Sequence, residues 1–272
     1  IDGGETWTLE GTLVAPTTEP PSTYALKLSL AADGQVIFAY GSHSFRRAEE
    51  SFGDGTNEAV LCLSTDAGRT WSEPRQVPMA GHSLLEISHG VLALESGRLL
   101  APAATLPAKG RLGEQVLVAI SDDGGLTWPR HGVVFEDPDK RFGYFEQKLA
   151  QISPNLLIAT CWTVTLDDVV DQPDSFALSR DKGSTWGRAH STEIMGQTMT
   201  PIPLGEDRLL ILYNRRYGEQ GIVMNLVTFT ETEWTIYYED LLYDSGSQRN
   251  RPQAVETGVE EFDSFMFGFP TA

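Results

Sequence analysis

An octapeptide, Ser-x-Asp-x-Gly-x-Thr-Trp, recurs three times at near-constant spacing and constrains the architecture more than any other feature of the chain. The copies run Ser64–Trp71, Ser121–Trp128 and Ser179–Trp186, and their aspartates, Asp66, Asp123 and Asp181, lie 57 and 58 residues apart. A shortened copy, Asp2-Gly3-Gly4-Glu5-Thr6-Trp7, stands 64 residues before Asp66. Near-equal periods imply equal structural units.

The octapeptide has the chemistry of a hairpin turn. A short Asp can accept hydrogen bonds from backbone N–H groups just downstream, Gly tolerates positive φ, and Thr-Trp restarts a strand with an aromatic to bury. Each copy follows an apolar run that reads as a strand, at Ala59–Ser64, Val116–Ser121 and Phe176–Ser179. Further strands precede these, beginning near Gly34, Gly97, Asn155 and Asp207, with shorter segments such as Ala25–Leu30 and Gln147–Ile152 before them. No 3.6-residue stripe of useful length interrupts the series.

Four antiparallel strands per period, repeated, predict an all-β chain built as a β-propeller of four-stranded blades. The expected blades span 15–80, 81–136, 137–195 and 196–243, with Thr230-Glu231-Thr232-Glu233-Trp234 as a worn octapeptide whose turn differs for want of glycine. Residues 1–14 read as the last strand of a blade and 244–272 as two or three strands. Joined, they give five blades. Six follow if an N-terminal blade is missing, since the chain begins inside a motif. Residues 1–272 are expected to form a single domain.

A formal charge of −18, from 20 basic and 38 acidic residues, disfavours nucleic acid and anionic membranes as partners. No apolar run approaches transmembrane length, and no signal peptide precedes the first motif. Cys62 and Cys161 fall in different blades and read as buried free thiols. No zinc or calcium spacing and no phosphate-binding loop is present, so neither metal nor cofactor is expected.

In a propeller the strand 3–4 turns share one rim, which makes the three aspartates structural. The opposite rim is where a ligand would bind. There the strand-1 starts carry Tyr24 and Lys27, His82, Tyr144 and Glu146, Gln197, and Arg249 with Arg251. The strand 2–3 loops carry His43, Arg46 and Arg47, then Lys109 and Arg111, Trp162 with Asp167 and Asp168, and Asn214, Arg215 and Arg216. Converging arginines can hold a carboxylate by paired hydrogen bonds, and a Glu buried among them can exchange protons.

The octapeptide is the Asp-box, and the chain resembles the sialidase superfamily of six-bladed, BNR-repeat propellers over nearly its whole length. Gly81-His82-Ser83 through Pro102 is similar to the third sialidase blade, Tyr144-Phe145-Glu146-Gln147 to the fourth, and Gly196-Gln197-Thr198 through Arg215-Arg216 to the fifth. The resemblance implies a Tyr nucleophile activated by Glu, an Asp acid/base and three arginines that clamp a sugar carboxylate. A neutral phenol can approach such a carboxylated anomeric carbon without charge repulsion.

Carried over by position, Glu146 matches the activating Glu, and Arg215 or Arg216 matches one arginine. No Arg-Ile-Pro triplet occurs, Cys161-Trp162 stand where the middle arginine is expected, and Tyr243 is the nearest candidate for the nucleophile. The implied function is a sialidase-like glycoside hydrolase acting on an acidic or other glycan. Glu146, Tyr144 and His82 are its candidate catalytic groups. Arg215, Arg216, Arg251, Arg249, Gln197, Trp162, Tyr213 and Arg46 are its candidate substrate contacts. A non-catalytic propeller that binds glycan or protein is the alternative. A polysaccharide lyase with His82 or Tyr144 as base is the second. The resemblance implies a secreted or periplasmic location.

Overall fold

The computed structural model of the chain describes residues 3, 5–9, 11–45, 55–106, 112–249, 268 and 270. They form four antiparallel sheets in chain order. The first contains β1 (Ser22–Leu30), β2 (Ile37–Phe45), β3 (Thr56–Ser64) and β4 (Arg75–Gln76). The second contains β5 (Leu85–Glu86), β6 (Leu92–Ala93), β7 (Leu99–Thr105), β8 (Val116–Ser121) and β9 (Arg130–Phe135), with β5 and β6 both paired to β7. The third contains β10 (Phe142–Ser153), β11 (Leu156–Thr165), β12 (Asp171–Ser179) and β13 (His190–Ser191). The fourth contains β14 (Gln197–Gly205), β15 (Arg208–Arg215), β16 (Gly218–Phe229) and β17 (Trp234–Arg249).

Two expectations about the ends change. The last strand does not stop at 243: Asp244 pairs with Gly221 and Arg249 with Gly218, so 244–249 belong to the fourth sheet rather than to a further blade. Register shifts along β16 and β17 let the hairpin run this far. At the other end, residues 5–9 and 11–14 form no strand, and Trp7 stays 89% exposed. Residues 250–267, from which further strands were expected, lie outside the described residues.

Three apolar clusters fill the spaces between successive sheets. Tyr40, Leu61 and Leu85 lie between the first and second, Val118, Phe135 and Leu157 between the second and third, and Phe176, Ile211 and Val223 between the third and fourth. A sheet covered on both faces loses the usual apolar/polar alternation, and all six residues of β8 are buried. At the start of the series Leu28 and Leu30 of β1 are 65% and 57% exposed. The packing thus runs first to second, second to third and third to fourth, with none of comparable extent from fourth to first among the described residues.

The octapeptide turns behave alike in all three sheets. In the first, Asp66 Oδ1 accepts from the Thr70 N–H (2.9 Å) and the Ser64 hydroxyl (2.9 Å), Asp66 Oδ2 accepts from the Thr70 hydroxyl (2.6 Å), and Ser64 Oγ accepts from the Gly68 N–H (2.9 Å). Asp123 and Asp181 repeat the pattern with Thr127 and Thr185. Two successive residues take positive φ, as in Ala67 (61°) and Gly68 (83°). The tryptophans do not restart strands. Trp71 and Trp186 fold back so that their indole N–H groups donate to Gly68 O (3.1 Å) and Gly183 O (3.2 Å), and the fourth strands begin two to four residues later. The worn copy is closed instead by Thr230, whose N–H donates to Glu233 O (2.9 Å) and whose hydroxyl accepts from the Glu233 N–H (3.1 Å).

These turns also seat one sheet on the last. A Cβ at Gly183 would lie 2.7 Å from Leu100 of the second sheet, and one at Gly125 would lie 3.0 Å from Leu61 of the first. Arg98 donates to Asp122 (2.8 Å), Lys182 O (3.2 Å) and Ser184 Oγ (3.1 Å), linking the second and third turns.

Gly183→Ala should therefore cost about 1–3 kcal/mol, combining positive φ with overpacking against Leu100. Gly205→Ala, at φ 95° with open space around it, should lose only the backbone part; equal losses in urea unfolding would refute the seating role.

Hydrogen bonds from Thr127 and Ser121 hold the Asp123 carboxyl at about 2, below its ordinary 3.8. A depressed carboxyl stabilises the fold fully above the ordinary value and ceases to do so as pH falls through the depressed one. Melting temperature should hold down to about pH 4 and fall towards pH 2. Asp123→Asn should melt lower at neutral pH and lose part of that acid slope.

Candidate functional site

The site is built on two bulges at matching places in adjacent sheets. In β10, Phe145 pairs with Trp162 and the next ladder pair is Lys148 with Thr160. In β14, Gln197 pairs with Asn214 and the next is Thr200 with Leu212. The bulged residues Glu146 (φ 51°) and Thr198 (φ 53°) both take the left-handed conformation, which costs a non-glycine residue about 1–2 kcal/mol. A bulge re-aims a side chain, and here it turns the two towards each other.

Glu146, 6% exposed, accepts from Arg216 Nη2 at both oxygens (3.1 and 2.9 Å) and from the Thr198 hydroxyl at Oε2. Arg216, 1% exposed, follows the end of β15 and is fixed by its backbone: its N–H donates to Gln197 Oε1 (3.0 Å), and its carbonyl accepts from Gln220 Nε2 (2.7 Å). Its guanidinium lies over the Trp162 ring, 5.0 Å from the centroid. Asp171 anchors that ring, accepting from the indole N–H (2.9 Å), and also accepts from Gln197 Nε2 (3.3 Å). Thr198, Gln197 and Trp162 hold this buried charge pair from three sides.

A second carboxylate reaches the same place from the second sheet. Glu86 Oε2 accepts from the Glu146 N–H (3.0 Å), and Oε1 accepts from the Ser88 hydroxyl. Burial and the nearby Glu146 charge raise the Glu86 carboxyl above its ordinary range, against lowering by Ser88, the Glu146 N–H and Lys27. Lys27 donates to Ile87 O and Lys148 to Ser88 O, so ammonium groups of the first and third sheets meet on successive carbonyls of the second. Burial lowers both lysines, Lys148 to about 8. His89 beside them is pushed down to about 3 by burial and by the two lysines, and is neutral. Asp174, fully buried near Asp171, Glu146 and Arg216, is raised well above the carboxylate range, chiefly by burial.

The sequence candidates thus separate. Glu146, Arg216, Gln197 and Trp162 come together. Tyr144 stacks on Phe135 (5.3 Å) within the apolar core, and burial raises its phenol. Tyr213 lies in the core between the third and fourth sheets, against Gly196, where a Cβ would sit 2.4 Å from its ring. Arg215, adjacent to Arg216 on a strand, points the other way and pairs with Glu219 (carbonyl, 2.6 Å; carboxylate, 3.8 Å). His82 is exposed in the turn between the first two sheets, its N–H donating to Met79 O (2.9 Å).

His43 stacks between Tyr24 and Phe45, Asp168 accepts from Thr165 in its own turn, Asn214 is buried, and Tyr243 is exposed on β17. Arg249 ends β17, and Arg46, Arg47, Lys109, Arg111 and Arg251 lie outside the described residues.

Sequence reading missed Glu86, Thr198, Lys148, Asp171 and Asp174. The available signal was a charge set against apolar residues in a strand, on both sides in Leu85-Glu86-Ile87 and on one in Lys148-Leu149-Ala150. Among the described residues no group of His, Cys, Asp and Glu is placed to hold a metal ion, and no helix is long and apolar enough to cross a membrane.

Comparison with solved structures finds a protein of unknown function from Dyadobacter fermentans (TM-score 0.67, 22% identity, 82% of this chain and 65% of that one). It also finds a Hadza microbial sialidase (TM-score 0.57, 17% identity, 78% and 45%). A third is an α-L-arabinanase from Penicillium chrysogenum complexed with arabinobiose (TM-score 0.57, 16% identity, 83% and 70%). At these identities the likeness is one of fold. The chain spans less than two thirds of the first two. No curated protein matches. The family model of the BNR repeat-like domain matches residues 2–219, across all three complete octapeptides and the Glu86–Glu146–Arg216 site. The chain accordingly belongs to the BNR repeat-like domain family, with the sialidase-like Asp-box fold.

Proposed function

We propose that the chain is a glycoside hydrolase with its centre at Glu86 and Glu146. The observation that carries this reading is the pair of carboxyl groups on neighbouring inner strands in opposite surroundings: Glu146 bound to a guanidinium, and Glu86 raised by burial and by the charge of Glu146. A carboxyl raised by burial keeps a proton to give at higher pH, and a neighbouring carboxyl bound to a guanidinium is placed to take one.

In this reading Glu86 gives its proton to the leaving glycosidic oxygen as the anomeric C–O bond breaks. Glu146 takes a proton from the water that forms the new C–O bond. One water is consumed, and the two carboxyls exchange protonation states until solvent restores them. Glu146 Oε1 carries one described hydrogen bond and so retains capacity for a water proton. Arg216 pairs with Glu146 rather than clamping substrate, a different role from the one its sequence position suggested. Trp162 forms the floor beneath that pair. Tyr144 and Tyr213 lie in the apolar core, which disfavours either of them as a nucleophile. The sialidase and arabinanase among the similar structures make glycans the substrate class to test first.

Aryl α-sialosides and aryl α-L-arabinofuranosides should be assayed across pH with the parent, Glu146→Gln and Glu86→Gln. Each variant should lose roughly 10²–10⁴-fold in kcat/KM. Glu86→Gln should also lose the alkaline limb, because the acid works only while protonated and its raised value moves that limb upward. Undiminished turnover in either variant removes that residue from the mechanism. Glycan binding without release by the parent would return the non-catalytic reading.

A further inference from the structure

Three contacts bridge the inner strands at one constant separation. Lys27 reaches Ile87 O, Glu86 accepts from the Glu146 N–H, and Lys148 reaches Ser88 O, each across 60 residues, about one repeat. The segment Glu86-Ile87-Ser88 is therefore gripped from both neighbouring sheets. β5 has only two residues and two ladder pairs to β7, too few to fix the half-buried Glu86 carboxyl by themselves. The two ammonium groups supply what the ladder lacks, and they also bring two positive charges beside Glu86.

We infer that Lys27 and Lys148 are positioning residues for Glu86: their cross-sheet bonds hold its carboxyl at Glu146, and their charges set the pH at which it gives up its proton. This deepens the hydrolase reading and rests on it for its consequence in turnover, while the titration of Glu86 can be followed without substrate. The groups that interact with Glu86 are Lys27 from β1, Glu146 and Lys148 from β10, the Tyr40 phenol from β2 and Ser88 from its own segment, with neutral His89 beside the two lysines. Burial and Glu146 favour its protonated form, and the lysines oppose them. Removing one ammonium charge must therefore move the Glu86 midpoint upward.

The test labels the full chain with ¹³C-glutamate, assigns Glu86 by its loss in Glu86→Gln, and follows its carboxyl shift against pH in the parent, Lys27→Met, Lys148→Met and Lys148→Arg. The Met variants should titrate higher, and Lys148→Arg, which keeps the charge, should stay near the parent. In the enzyme assay the alkaline limb should move the same way in each variant, with kcat changing more than KM. An unchanged Glu86 midpoint in both Met variants overturns the inference, whatever the assay shows. A shifted midpoint in a parent that hydrolyses nothing keeps the lysine role and defeats the hydrolase reading instead. Should Lys148→Met fail to fold, Lys27→Met, whose side chain is only partly buried, decides the matter alone.

Discussion

One carboxylate tying together the two ends of a tight turn sets the spacing of the molecule. In each complete octapeptide the Asp accepts from a backbone N–H and a hydroxyl four residues on, while the preceding Ser caps the glycine from inside the turn. The glycine must be bare for two reasons: its φ is positive, and in the second and third sheets the preceding sheet lies against it. One device thus closes the hairpin and regulates how near the next sheet can come. With that rim fixed, apolar packing between sheets fills the rest, and the inner strands are brought within side-chain reach at the other end.

The functional end inverts those rules. Where the turns use glycine at positive φ, the bulges of β10 and β14 place Glu146 and Thr198 there, residues for which that conformation is costly. Where the core is apolar, this end gathers the buried Glu146, Lys148 and Arg216 with the half-buried Glu86. Breaking one member of a buried ion pair typically costs about 3–5 kcal/mol, so such a cluster persists only while all its partners are in place. Local strain and buried charge gather in the same few residues of the proposed site, on a scaffold that is regular elsewhere.

Much of the fold was legible. Period, strand order and sheet boundaries follow from interactions within a few residues of one another, such as Asp66 with Thr70, and these repeat wherever the octapeptide does. The end of the fourth sheet was less so, because the length of β17 depends on register shifts against β16 and not on a local stop signal. In the site, Glu146 and Arg216 could be picked out by position, whereas Tyr144 and Tyr213 could not be distinguished from sugar-facing aromatics. On a strand, one residue of offset or one bulge decides between core and pocket.

By itself the sequence determined the octapeptide turns, the recurrence of four-stranded antiparallel sheets over residues 15–243 and the placing of the aspartates in strand 3–4 turns, since each is a matter of local hydrogen bonding and alternation. Only the tertiary structure decided that Glu86 meets Glu146, that Arg216 turns inward while Arg215 turns out, and that Lys27 and Lys148 close on one segment between them. Those meetings join residues 60 to 70 positions apart. They depend on how far each sheet is pitched from the last and on two bulges, neither of which is written in any short stretch of chain.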